Sequence, residues 1–126
     1  MKITITNTDY EEVVSSDGNS VFIFLDPPYF LARKSALYGR NGNLHRSFNH
    51  ERFASVMKKY NHKRLITYNE DGYIRKLFSF ANIFPWNSTY GMRSINCNGS
   101  SQIGREVFIS NYLTSLPQQD DFDFSA

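Results

Sequence analysis

The stretch that most constrains this chain is an apolar run ending in two prolines. Residues 21–25 are all apolar, which is typical of a strand buried on both faces in a parallel sheet. Residues 26–29 follow directly and read Asp-Pro-Pro-Tyr. Each proline fixes its own φ, and Pro27 also keeps Asp26 out of the helical region. The pattern predicts a carboxylate, a proline carbonyl and the Tyr29 ring at the carboxyl end of a central strand, where open α/β sheets bind ligands.

Length and composition indicate one globular domain. The chain has 126 residues, of which 40% are hydrophobic, 21% charged and 16% aromatic. Its formal net charge is +2, but three of the 12 acidic residues lie in a short polar tail, so the rest is more basic. Such a balance is compatible with nucleic-acid binding without requiring it. We expect one domain over residues 1–116 and a flexible tail over residues 117–126.

Cysteine and histidine usage argues against a metal site. The single Cys97 excludes an internal disulfide and a cysteine zinc cluster. His45, His50 and His62 show no ligand spacing, so surface or packing roles are expected. The chain shows neither a signal peptide nor an apolar run of membrane length, which predicts a cytoplasmic protein with no membrane partner.

Strands and helices alternate along the first two thirds of the chain. The predicted order is a strand over residues 2–6, a short helix over 11–14, the apolar strand, a helix over 49–60, a strand over 64–69 and a helix over 73–80. Asn49 is the expected N-cap of the second helix, and Asp9 is a candidate cap for the first. Residues 83–95, which contain Pro85, and residues 106–112 then predict an antiparallel hairpin. The expected fold is therefore α/β, with parallel strands, crossover helices and a final β-hairpin.

The region over residues 30–48 is a long loop that mixes basic and aromatic side chains. Its candidate DNA-binding residues are Arg33, Lys34, Arg40 and Arg46. Such a mixture suits a phosphate backbone and an unstacked base. A solvated surface loop is an equally good interpretation of this segment alone.

The Asp-Pro-Pro-Tyr sequence suits chemistry on the exocyclic amine of a nucleobase. That amine is a poor nucleophile because its lone pair is delocalised into the ring. Two acceptors, the Asp26 carboxylate and the Pro27 carbonyl, would favour a tetrahedral nitrogen with a localised lone pair. Tyr29 can stack on the base and orient it, provided that the base has left the duplex.

These residues resemble the Dam-type DNA adenine-N6 methyltransferases, which use S-adenosylmethionine. Beyond residues 26–29, the resemblance covers residues 48–53, 65–69, 74–78, 90–95 and 106–109, in the family's order. It implies a partial Rossmann-like methyltransferase sheet, double-stranded DNA as partner and a role in DNA methylation or restriction-modification. It also implies that Asp26, Pro27 and Tyr29 are catalytic and that Asp26, Asp9 and Tyr10 contact the cofactor. A simple helix cap is an equal alternative for Asp9.

The chain also departs from this family. In the family, a Phe-x-Gly-x-Gly turn for the cofactor and a target-recognition region precede the catalytic tetrapeptide, and neither is found in this sequence. We therefore expect the C-terminal half of a catalytic domain, inactive alone and either completed by an N-terminal chain or self-associating through its open sheet edge. The alternatives are an inactive remnant that binds nucleic acid or serves assembly, and a cytosine-N4 methyltransferase. Cytosine-N4 enzymes favour Ser where this chain has Asp26, and the related glutamine methyltransferases favour Asn.

Overall fold

The strands of this chain form one mixed sheet. A computed structural model describes residues 1–31, 48–89 and 103–112. Within them the elements are, in order, α1 (Tyr10–Val14), β1 (Phe22–Leu25), α2 (His50–Lys59), β2 (Lys63–Asn69), α3 (Gly72–Leu77), β3 (Asn82–Thr89) and β4 (Ile103–Ser110). The strand order is β1-β2-β4-β3. β1 and β2 are parallel, and β4 is antiparallel to both β2 and β3. The predicted α/β class, with a parallel pair and a final antiparallel hairpin, is confirmed.

Side-chain oxygens cap the three helices at their N-termini, and two of these caps, Asp9 and Asn49, were candidates in the sequence. Asn49 accepts a hydrogen bond from the Arg52 N–H at the start of α2, at 2.9 Å. Asp71 does the same for the Tyr73 N–H at the start of α3, at 2.7 Å. Each cap satisfies a backbone donor that the first helical turn leaves without an intrahelical partner. The predicted helix over residues 49–60 is thus confirmed as His50–Lys59, while α3 is shorter than predicted.

The core lies on one face of the sheet. Ile66 and Tyr68 of β2 are buried, and their register partners in β4, Ile109 and Val107, are buried too. The same cluster contains the inward residues of the helices, namely Phe53, Val56 and Met57 from α2 and Ile74 from α3. The side chains that alternate along the strands and those spaced along one face of α2 are therefore buried together in one core.

Two strand predictions are wrong. Residues 2–6 form no strand, and Ile3 and Ile5 are 74% and 92% exposed. Alternation there provides an apolar face, but no strand in the described part of the chain pairs with it. β1 is not buried on both faces either, because Phe22 and Phe24 are 56% and 59% exposed. The reason is position: in the described sheet β1 is an edge strand rather than a central one.

The hairpin strands differ from expectation mainly in their bounds. β3 lies at the opposite edge of the sheet and includes Pro85, as a strand containing proline should. β4 spans Ile103–Ser110 rather than residues 106–112. Predictions on residues 32–47, 90–102 and 113–126, including the loop, His45, Cys97 and the tail, lie outside the described residues. Over the part of the chain that is described, no helix is long and apolar enough to cross a membrane.

Candidate active site

Asp26 leaves the carboxyl end of β1 beside a hydroxyl from β2. The parallel register pairs Leu25 with Ile66, so Asp26 and Thr67 come next in line. The Thr67 hydroxyl donates to Asp26 Oδ1 at 2.7 Å. Asp26 itself is exposed, whereas Pro27 is buried. The carboxyl end of β1 therefore presents a carboxylate whose orientation is set by a side chain of β2.

Tyr29 is held by a hydrogen bond to a residue of β4. Its hydroxyl donates to Glu106 Oε1 at 2.7 Å, and both side chains are partly buried. Glu106 belongs to β4, where its register partners are Asn69 of β2 and Trp86 of β3. Side chains from two different strands therefore hold this segment: Thr67 of β2 donates to Asp26, and Glu106 of β4 accepts from Tyr29.

The residue after Tyr29 is tied to the end of β2 at both of its backbone polar groups. The Phe30 N–H donates to Asn69 Oδ1 at 3.0 Å, and Asn69 Nδ2 donates to the Phe30 carbonyl at 2.7 Å. Backbone pairing between β1 and β2 ends at Leu25, so the Asn69 amide fixes the chain where the ladder no longer does.

Aromatic rings support this turn from the core side. The Phe30 ring lies 4.6 Å from that of Tyr73 and 5.5 Å from that of His50, between centroids. His50 is buried, and its Nδ1 lies 2.8 Å from the Tyr68 hydroxyl. Burial raises the pKa of Tyr68, so this hydroxyl stays protonated at neutral pH. His50 has the packing role that the sequence predicted.

Asp9 and Tyr10 lie at the start of α1, against α2. Asp9 caps α1 by accepting from the Glu11 N–H at 3.0 Å, and its two oxygens accept from Arg52 at 2.9 and 3.1 Å. The hydrogen bond from Arg52 lowers the pKa of Asp9. Tyr10 packs on Phe53 at 5.2 Å and on Phe48 at 6.0 Å. The cap interpretation of Asp9 is confirmed, and its contact with a cofactor stays a prediction.

Comparison with known families gives a match over most of the chain. The family described as D12 class N6 adenine-specific DNA methyltransferase matches residues 1–92. The chain belongs to this family. The match includes Asp26–Tyr29 together with Thr67 and Asn69, and it ends before Glu106. A comparison with curated proteins finds no match.

A methyltransferase needs a methyl donor, and some of the described residues are suited to binding one. Asp26 is an exposed carboxylate at the strand end and can accept from an ammonium or hydroxyl group. Asp9 is less available, since both of its oxygens already accept from Arg52. Among the described residues no group of three or more His, Cys, Asp and Glu side chains could hold a metal ion.

The sequence analysis did not identify three residues that contact the candidate site. Four other residues that it did predict lie outside the described part of the chain. Thr67, Asn69 and Glu106 were not predicted as site residues. A usable signal existed for Thr67 and Asn69, because the carboxyl ends of parallel neighbours meet at one edge. Glu106 comes from an antiparallel strand, and its position depends on a register that local sequence does not specify. The candidate DNA-binding residues Arg33, Lys34, Arg40 and Arg46 lie outside the described ranges.

Proposed function

We propose that this chain provides the surface on which the N6 amine of a flipped adenine in double-stranded DNA is methylated, with S-adenosylmethionine as donor. The observation that carries the proposal is the end of β1. There an exposed Asp26 follows the strand directly and accepts a hydrogen bond from Thr67 on the neighbouring strand. D12 class membership supports adenine N6 in DNA as the acceptor.

Asp26 and the Pro27 carbonyl act as the two acceptors for the hydrogens of the adenine amine. Accepting both hydrogens favours a tetrahedral nitrogen, whose lone pair is then available for attack. The Thr67 hydroxyl occupies one lone-pair direction of Asp26 Oδ1 and thereby limits how the carboxylate can rotate. Tyr29 stacks on the base, with its hydroxyl held by Glu106. An adenine reaches these groups only after it has left the duplex.

When bound, S-adenosylmethionine would supply an electrophilic methyl group to adenine N6, with the electrons of the broken carbon–sulfur bond staying on sulfur and the N6 proton released to water. Asp26 would contact the methionine end of this donor. Asp9 and Tyr10 would contact its adenosine part, and Asp9 could do so only if its contact with Arg52 rearranged. Arg33, Lys34, Arg40 and Arg46 are the proposed phosphate contacts.

The open edge of β1 supports a further part of the proposal. In the described sheet β1 pairs only with β2, and Phe22 and Phe24 are more than half exposed. An open strand edge that carries exposed apolar side chains offers a template for pairing with a further strand. We propose that a segment carrying the Gly-rich cofactor turn completes the sheet there, and that the chain by itself transfers methyl groups poorly.

The test is a methylation assay with and without a complementing chain. The chain is incubated with radiolabelled S-adenosylmethionine and genomic DNA that lacks 6-methyladenine, alone and with the N-terminal half of another D12 class member. The expected result is 6-methyladenine, identified by mass spectrometry, mainly in the complemented sample. Asp26→Ala should lower the rate on the order of 10²–10³-fold, the usual cost of removing a preorganised polar group. Asp17→Ala, in an exposed loop, is the matched control.

Each other outcome points to a different function. A 4-methylcytosine product would replace adenine by cytosine as the acceptor. Salt-dependent DNA binding without any response to S-adenosylmethionine, in calorimetry with each ligand separately, would favour an inactive nucleic-acid-binding remnant. Normal methylation by the Asp26→Ala variant would overturn the proposal.

A further inference from the structure

Asn69 and Glu106 are two polar side chains that face the same turn from neighbouring strands. They are directly opposite each other in the antiparallel register of β2 and β4. Asn69 binds the backbone of Phe30, and Glu106 binds the hydroxyl of Tyr29. Two consecutive residues of the turn are therefore fixed by one cross-strand pair.

The Asn69 contact is a two-point clamp. A primary amide presents an acceptor and a donor side by side, so it can pair with an N–H and a C=O of one residue as a neighbouring strand would. Both bonds have ordinary lengths, 3.0 Å from Phe30 N to Asn69 Oδ1 and 2.7 Å from Asn69 Nδ2 to Phe30 O. The clamp fixes the backbone immediately after Tyr29.

The Glu106 contact fixes the other end of Tyr29. A hydrogen bond from a phenol to a carboxylate at 2.7 Å is charge-assisted and therefore stronger than a neutral one. The backbone beyond Tyr29 and the hydroxyl at the tip of its ring are held separately. Together they restrict the plane of the ring, which decides whether a base can lie flat on it.

We propose that Asn69 and Glu106 are positioning residues that hold the Tyr29 ring in the plane on which an unpaired adenine stacks. The inference rests on the proposed function for the identity of the base. It assigns both residues an effect through Tyr29 and gives neither of them a contact with the reacting amine.

The test uses binding, which requires neither turnover nor a known target sequence. The probe is single-stranded oligodeoxyadenylate, whose bases are already unpaired, and the reference is an abasic oligomer of equal length. Because stacking of a base on an aromatic side chain contributes strongly to affinity, Tyr29→Ala should reduce the preference for oligodeoxyadenylate by about tenfold. Asn69→Ala and Glu106→Ala should reduce this preference, measured as the ratio of the two affinities, to a similar extent.

Conservative variants separate positioning from folding. Glu106→Gln keeps an oxygen that accepts from the Tyr29 hydroxyl and should retain the preference. Asn69→Asp presents two acceptors when ionised, one of them facing the Phe30 carbonyl, but an acceptor and a donor when protonated. The Asn69→Asp variant should therefore lose the preference for oligodeoxyadenylate at pH 8 and regain it at low pH. The other charged groups of this neighbourhood are Asp26, Glu70, Arg105 and Glu106. Asn69→Ala should show no such recovery.

A double-mutant cycle completes the test. If Glu106 acts through the Tyr29 hydroxyl, Glu106→Ala should have no further effect in a Tyr29→Phe background. Independent effects in that cycle, or an unchanged preference in the folded Asn69→Ala variant, would overturn the inference. So would a wild-type chain that binds abasic and adenine oligomers equally. A positive binding result with no methylation by the complemented enzyme would instead contradict the proposed function alone.

Discussion

At the scale of single residues, the hydroxyl of Thr67 has a role that its methyl group cannot supply. It donates to Asp26 at 2.7 Å, and the proposed chemistry requires that carboxylate in one orientation. Thr67→Val keeps the shape of the side chain and removes the donor. We expect the methylation rate of the complemented enzyme to fall about tenfold, in line with loss of one hydrogen bond to a charged group. Thr67→Ser keeps the hydroxyl and should stay near wild type; equal loss in both variants would contradict this role.

Arg64 illustrates a residue whose role is structural. It is 5% exposed, and its guanidinium donates to the carbonyls of Met57 and Tyr60 at the end of α2. Burial lowers its pKa. Removing it leaves helix-end carbonyls buried without these donors, so Arg64→Met should lower the free energy of unfolding by about 1.5–3 kcal/mol.

The control for Arg64 is an arginine in an exposed ion pair. Arg75 binds Glu70 at the surface, with 43% of its side chain exposed. Exposed pairs contribute about 0–1 kcal/mol, so Arg75→Met should cost less than Arg64→Met in urea unfolding. An equal cost would mean that the contacts of Arg64 with α2 add nothing beyond its charge.

At the scale of elements, the short helix α1 is attached to α2 by charge. Arg52 binds Asp9 and Glu11, each at 2.9 Å. Because the pKa of Asp9 is lowered from its ordinary value of 3.8, its contribution to stability is present above that pH and is lost as the pH falls through the lower folded value. Asn is also a good N-cap, so Asp9→Asn isolates the charge from the cap.

The expected result for Asp9→Asn depends on pH in one direction. The variant should be less stable than wild type near pH 7, and the difference should shrink as the pH falls below 3.8. Urea unfolding at both ends of this range measures it, with Asp17→Asn as a control for the change in net charge. A difference that is the same at both pH values would show that Arg52 does not act through the carboxylate.

The elements also show which structure can be predicted from sequence. α2 was predicted within one residue because its apolar spacing and its Asn49 cap are both local signals. The strand over residues 2–6 was wrong, since alternation reports an apolar face and not a pairing partner. The site over Asp26–Tyr29 was predicted from local backbone chemistry and stays a prediction. Its contacts with Thr67, Asn69 and Glu106 depend on strand order and register, which are long-range properties.

At the scale of the whole molecule, the described sheet has all its helix-packed core on one face. Ile23 of β1 is buried in that core, while Phe22 and Phe24 point the other way and are exposed. The edge of β1 adds backbone donors and acceptors that no strand in the described sheet pairs with. An apolar side and an open edge on the same strand favour association with a further strand.

This arrangement predicts that the chain self-associates when no complementing segment is present. Two copies related by a two-fold axis can pair their β1 edges antiparallel and bury Phe24 from each. We expect concentration-dependent association in sedimentation velocity. Phe24→Lys should weaken it at least tenfold, because a charged side chain on an edge strand opposes pairing. Phe80→Lys, at a residue that is 41% exposed beyond α3, should have little effect.

The same measurement decides between the two ways of covering β1. If a complementing D12 class segment pairs with this edge, adding it should dissociate the self-associated chain and restore methylation over the same concentration range. Phe24→Lys should then weaken complementation as well as self-association, since both bury the same side chain. Complementation that is unaffected by Phe24→Lys would place the completing strand elsewhere, and a chain that stays monomeric at every concentration would contradict self-association through β1.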